Sequence, residues 1–219
     1  MKYGDWLGAP RQKKFFTEPR VIVRQIISGN PLRIYAGYTE NEIYHTQIGF
    51  SIIAKRDSDF TPKALCALLN SDVLNFYHKY KYLDIEKNTF QKILIENSKV
   101  FPLHPDTIQY SQQIEIVQDY NYHLSASKSN ELSQPFFEEL NNSIFYEIYF
   151  PEEIKSAGKE ILKHLGDLKP ITDDMSEEKK LAIIQSEFER LYDPNHPVRL
   201  AIETLDSVEE VRIIKEALK

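Results

Sequence analysis

The chain has 219 residues, 42% apolar and 27% charged, which is long enough to bury a core without a disulfide or a structural metal. Its one cysteine, Cys66, excludes an internal disulfide and a Cys-rich zinc site; seven glycines disfavour glycine-rich phosphate loops. No apolar run has the ~20 residues of a membrane helix and the start has no signal-peptide pattern, so a cytoplasmic protein is expected. The net charge of −6 divides unevenly. Residues 1–100 hold fifteen Lys and Arg against ten Asp and Glu; residues 101–219 hold twelve against twenty-three. That asymmetry suggests a basic working end and an acidic, solvated remainder.

Residues 20–27 are aliphatic and β-branched, lie between Pro19 and the turn signal Ser28-Gly29-Asn30-Pro31, and read as a strand. Residues 32–36 alternate and read as its hairpin partner. Residues 47–55 read as a third strand, with Gly49 marking a bulge. Together they predict a small antiparallel or mixed sheet. Thr61-Pro62 then opens a helix, a capping hydroxyl followed by proline at the first helical position. Leu65, Leu68, Leu69, Val73, Phe76 and Tyr80 form an apolar stripe that Asn70-Ser71 divides into two short helices. Residues 82–95 are mixed, with Phe90, Ile93 and Leu94 at helical spacing.

Phe101-Pro102-Leu103-His104-Pro105 is extended, and the architecture changes there. Residues 1–104 are expected to hold the sheet, and residues 105–219 to be mainly helical, an α+β chain. Helices are predicted from Pro105-Asp106, from Gln134-Pro135 after a linker at 125–130, from Pro151 through Leu165, from Ser176, and after Asp206-Ser207.

Catalytic motifs are missing. An adenine methyltransferase needs a glycine-rich cofactor turn and an Asp/Asn-Pro-Pro-aromatic tetrapeptide. The nearest string, Asp193-Pro194-Asn195-His196-Pro197, reads as a turn between helices. Asp174, Glu178 and Lys180 have the letters of a magnesium nuclease but the spacing of a solvated helix start. No two of the six histidines have helical metal-ligand spacing, and each reads as a surface or half-buried side chain. Cys66 reads as a small buried hydrophobe.

A binding surface is better supported. Arg11, Lys13 and Lys14 lie beside Phe15 and Phe16 ahead of the first strand. Arg20 and Arg24 project from one strand face and Val21 and Val23 from the other. Lys79 and Lys81 alternate with His78, Tyr80 and Tyr82. Such cations suit phosphate and base contacts. A solvated charged face accounts for the same residues equally well, so at this level both readings stand.

The order of the segments carries more. Trp6-Leu7-Gly8-Ala9-Pro10-Arg11, Phe15-Phe16 and Pro19-Arg20-Val21-Ile22-Val23-Arg24 are followed by Ala64-Leu65-Cys66-Ala67-Leu68-Leu69-Asn70-Ser71 and Leu74-Asn75-Phe76-Tyr77. This series resembles the TaqI-like C-terminal specificity domain. Phe101-Pro102-Leu103 stands where that family has a Pro-Ile-Pro-like exit, and residues 146–153 resemble a segment that follows the module in type II restriction enzymes.

The resemblance implies a DNA target-recognition domain over 1–104 that reads double-stranded DNA, with Arg11, Lys13, Lys14, Arg20, Arg24, Lys79 and Lys81 as its DNA-binding candidates. It implies a non-catalytic C-terminal fragment of an adenine-specific DNA methyltransferase or single-chain restriction–modification enzyme. The partners would be the upstream methyltransferase and nuclease domains. S-adenosylmethionine, and magnesium where the parent also cuts, would bind there; no cofactor and no membrane partner are expected for this chain. The alternative is a protein–protein interaction or scaffolding fragment that works through the acidic helical half.

Overall fold

The computed structural model describes residues 11–27, 32–84, 86, 91–127 and 133–219. Residues 6–10, the turn at 28–31, Phe90 and the linker residues 128–130 lie outside the described residues. The chain is α+β. In order it forms α1 (Lys14–Thr17), β1 (Arg20–Arg24), β2 (Ile26–Ile27), β3 (Ala36–Thr39), β4 (Gly49–Ile52), α2 (Pro62–Leu69), α3 (Asp72–Tyr82), β5 (Gln91–Lys92) and α4 (Ile95–Ser98). Then follow α5 (Asp106–Gln109), α6 (Ser111–Ala126), α7 (Ser133–Tyr149), α8 (Pro151–Ser156), α9 (Glu177–Leu191), α10 (Pro197–Glu203) and α11 (Glu209–Ala217). No helix among the described residues is long and apolar enough to cross a membrane.

The main sheet has the order β3-β1-β4 and is antiparallel throughout. Val21 pairs with Tyr38 and Ile52, and Val23 with Ala36 and Phe50, so these side chains share one face. That face packs on α2, which contributes buried Ala64, Cys66, Ala67, Leu68 and Leu69. The opposite face carries Arg20, Ile22 and Arg24 of β1, Gly37 and Thr39 of β3, and Gly49 and Ser51 of β4.

Four expectations about elements are corrected. The first strand breaks after Arg24, because the Gln25 N–H donates to the Ile48 carbonyl while its own carbonyl accepts from the Ile93 N–H. Gln25 thereby joins the main sheet to the β2–β5 pair. The hairpin partner begins at Ala36 rather than Leu32, since the Ile34 N–H is taken by the Asn75 side chain at 2.6 Å. Gly49 is no bulge: it stays in register with Arg24, and a Cβ there would stand 3.3 Å from the Val23 carbonyl oxygen. The helix opened by Pro151 ends at Ser156, not Leu165. Gly158, at φ +64, accepts the left-handed turn, and the Lys159 N–H bonds back to the Ile154 carbonyl.

One core spans both halves. Packing of α2 on α6, of α3 on α7 and α11, and of α6 on α7 joins residues on either side of position 104 into a single cluster from Val21 to Leu218. Polar ties cross the same boundary. The buried Asp72 carboxylate accepts from Arg33 at 2.7 Å and from the Tyr146 hydroxyl at 3.0 Å. The Asp72 N–H bonds to the Asn142 side chain, and the Tyr149 hydroxyl to the Pro102 carbonyl. Within the second half, Glu147 accepts the N–H groups of Ile161 and Leu162 at 2.6 and 3.0 Å. The aromatic-acidic string at 146–153 is therefore a clasp.

Candidate nucleic-acid interface

The motif around Asn70 fixes the sheet. The Asn70 side chain accepts from the Ala36 N–H at 3.1 Å and donates to the Ala36 carbonyl at 2.9 Å, acting as one more residue of strand on the β3 edge. Ser71 caps α3 by accepting from the Leu74 N–H. Asn75 holds the Leu69 and Ser71 carbonyls and the Ile34 N–H. Cys66 is fully buried behind this edge, with burial pushing its thiol up to about 12, so it is no nucleophile at neutral pH.

With α2 on one face, the opposite face of the sheet is left for function. Arg20 does not reach its surface. Its guanidinium is buried, donating to the Glu18 and Asn41 carbonyls at 2.8 Å and to the Ile43 carbonyl at 3.2 Å. The expectation that Arg20 faces DNA is thus corrected, because the segment at 41–43 folds over it. Alternation on β1 places Arg20 and Arg24 on one side, as expected, but only Arg24 is exposed.

Beyond that cover lies a groove of about 550 Å³. Its lining includes Ile22, Arg24, Tyr35, Gly37, Ile43, Ile48 and Gly49. Arg24 lies 5.9 Å from the centroid of the Tyr35 ring. Tyr35, Ile43 and Ile48 are 46%, 43% and 55% exposed, an unusual run of apolar side chains on an open face. Sequence reasoning missed these three. Their signal is weak, since Tyr35 falls within a predicted strand and Ile43 in no predicted element.

The cations ahead of β1 flank this face. Buried Phe16 anchors α1 against Tyr44 and His45, with ring centroids 5.0 and 5.4 Å away. The Ser51 hydroxyl of β4 donates to the Phe15 carbonyl at 2.8 Å. Arg11, Lys13 and Lys14 are thereby held exposed on the β4 side. The β3 side has the opposite charge. A neighbouring cleft of about 600 Å³ includes Glu40, Asp119, Asp173 and Glu177 in its lining. Lys63 pairs with Asp119 and Lys180 with Glu177, each at 2.9 Å. Lys180 is buried, so the helix start at Ser176 is an ion-paired face rather than a freely solvated one.

Lys79 and Lys81 stand elsewhere, on α3, whose main helical neighbours include α7 and α11. The Lys79 ammonium donates to the Ala217 carbonyl near the end of α11, and Lys81 lies 4.9 Å from the Tyr77 ring centroid. His78 between them is fully buried, contrary to the surface or half-buried reading, and burial lowers its pKa to about 4. No group of His, Cys, Asp and Glu among the described residues is arranged to hold a metal ion.

Residues 2–103 match the model of the TaqI-like C-terminal specificity domain. The match covers a little under half of the chain. The matched residues contain the sheet, α1 to α4 and all of the groove lining except Tyr122 of α6, and the Asn70 motif is part of their scaffold. The specificity domain is a DNA-recognition module and is not itself catalytic. No curated protein and no solved structure matches the chain.

Proposed function

We propose that this chain reads a short sequence in double-stranded DNA and positions the duplex for the catalytic domain of an adenine-specific methyltransferase or a single-chain restriction–modification enzyme. The observation that carries this reading is the position of the exposed cations Arg11, Lys13, Lys14 and Arg24 within the matched specificity domain, around one open sheet face. A duplex is a polyanion, so its phosphates favour the α1 side and avoid the cleft of Glu40, Asp119, Asp173 and Glu177. The base edges then meet the groove, where the exposed guanidinium of Arg24 is the side chain chemically suited to guanine. Lys79 and Lys81 lie on a different helix and rank below α1 as phosphate contacts.

The test is binding to a pool of randomised duplex DNA, titrated at two salt concentrations. Lys13→Ala and Lys14→Ala should weaken binding to all sequences alike, each flattening the slope of log affinity against log salt by about 0.9. Arg24→Ala should instead cost about 1–3 kcal/mol on the selected sequence and relax one of its positions. Unchanged affinity and slope in all three variants would overturn the assignment.

A further inference from the structure

The groove has the wrong chemistry for phosphate, since Arg24 is the one cation in its lining among the described residues. The rest is aliphatic, aromatic or glycine at its centre. In the sheet register Ile22 lies opposite Gly37, and Arg24 opposite Gly49. Along β3 the outward positions are Tyr35, Gly37 and Thr39, two residues apart, so the missing side chain at Gly37 leaves a notch about 7 Å long beside Ile22. The notch is empty: a Cβ built at Gly37 meets no atom within 4 Å. Gly37 has no positive φ, so its backbone does not demand glycine. Open space rather than conformation distinguishes this position.

We propose that the Gly37 notch, bordered by Ile22 and Tyr35, receives the C5-methyl group of a pyrimidine in the major groove, next to the base pair read by Arg24. This rests on the DNA-reading assignment above and names the chemistry of one recognised base. A methyl group on the major-groove edge is the one apolar feature that a base pair offers there. Thymine carries it, and so does 5-methylcytosine. A methyl lying over Ile22 beside Tyr35 would lose its water to an apolar wall, which favours it by about four-fold in affinity, corresponding to about 0.8 kcal/mol per buried methylene-sized group.

The experiment uses the whole chain and three randomised duplex pools: ordinary DNA, DNA with deoxyuridine replacing thymidine, and DNA with 5-methylcytosine replacing cytosine. Selection from the first pool gives a preferred sequence. Removing the methyl from one thymine of that sequence should then lower affinity about four-fold, and Tyr35→Asn and Gly37→Val should abolish the difference. Both variants alter exposed or open positions and should leave thermal stability unchanged. If the third pool enriches a cytosine position absent from the first, the methyl group is recognised on 5-methylcytosine instead. Enrichment of a sequence with equal affinity for its thymine, uracil and 5-methylcytosine forms would overturn the notch while leaving DNA reading intact. No enrichment from any pool would overturn both.

Discussion

Asn70→Ala tests whether the motif residue is a strut or a contact. Its side chain makes two bonds to one backbone unit, at 3.1 and 2.9 Å, and a weak one to the Cys66 sulfur at 3.7 Å. A net hydrogen bond contributes about 1 kcal/mol, and a polar group left half-buried without a partner costs about 1–3 kcal/mol. Loss of both bonds, with partial access of water to the β3 edge, gives an expected destabilisation of about 2–3 kcal/mol. Urea unfolding followed by circular dichroism measures it, with an unchanged slope against denaturant as the sign of a stability effect alone. Asn70→Asp sharpens the test. The carboxylate keeps the bond from the Ala36 N–H but faces the Ala36 carbonyl, so its pKa rises on folding. The folded state then binds more protons, and the deficit should grow as pH rises from about 4 to 7. An alanine variant within 0.5 kcal/mol of the parent would refute the strut, as would full stability combined with lost DNA binding.

Three further outcomes are expected. Arg20→Lys should lose about 2–3 kcal/mol in thermal or urea unfolding, because an ammonium cannot span the carbonyls of Glu18, Asn41 and Ile43. His78, held at about 4, makes stability fall as pH drops from about 6.5 to about 4, with a slope of up to ~1.4 kcal/mol per unit, and His78→Phe should flatten that slope. The Cys66 thiol should resist an aromatic disulfide reagent in the native chain at pH 8 and react at once in urea; rapid native labelling would show that the β3 edge opens.

Capping chemistry was the most legible part of the sequence. Thr61 and Ser71 accept the N–H groups that their positions require, and Asn70-Ser71 does divide two helices. Strand boundaries were less legible, because long-range partners set them. Asn75 captures the Ile34 N–H and Gln25 bridges two sheets, and neither event leaves a local mark. The short α10 is marked by local chemistry where the sequence reads as a turn: His196 caps it and Pro197 opens it. Candidate site residues divide along the same line. Exposure of Arg24 follows the alternation of its own strand, whereas burial of Arg20 depends on a segment more than twenty residues away, and α1 with Lys13 and Lys14 is placed by Tyr44, His45 and Ser51. No pattern within β1 distinguishes its two arginines.

The shared core has a consequence for retargeting. The matched segment ends at residue 103, yet α2 and α3 inside it pack on α6, α7 and α11 outside it, and the Ala67 carbonyl of α2 accepts from the Asn141 side chain of α7. Excision at that point would strip cover from several side chains at once, each worth about 1.5–3 kcal/mol, and break the tie between Asp72 and Tyr146. Chimeras spliced at the family boundary should therefore be insoluble. Grafts confined to Tyr35, Gly37, Ile43 and Ile48 leave that scaffold untouched, so the transplantable unit is a patch on one side of a sheet rather than a length of polypeptide.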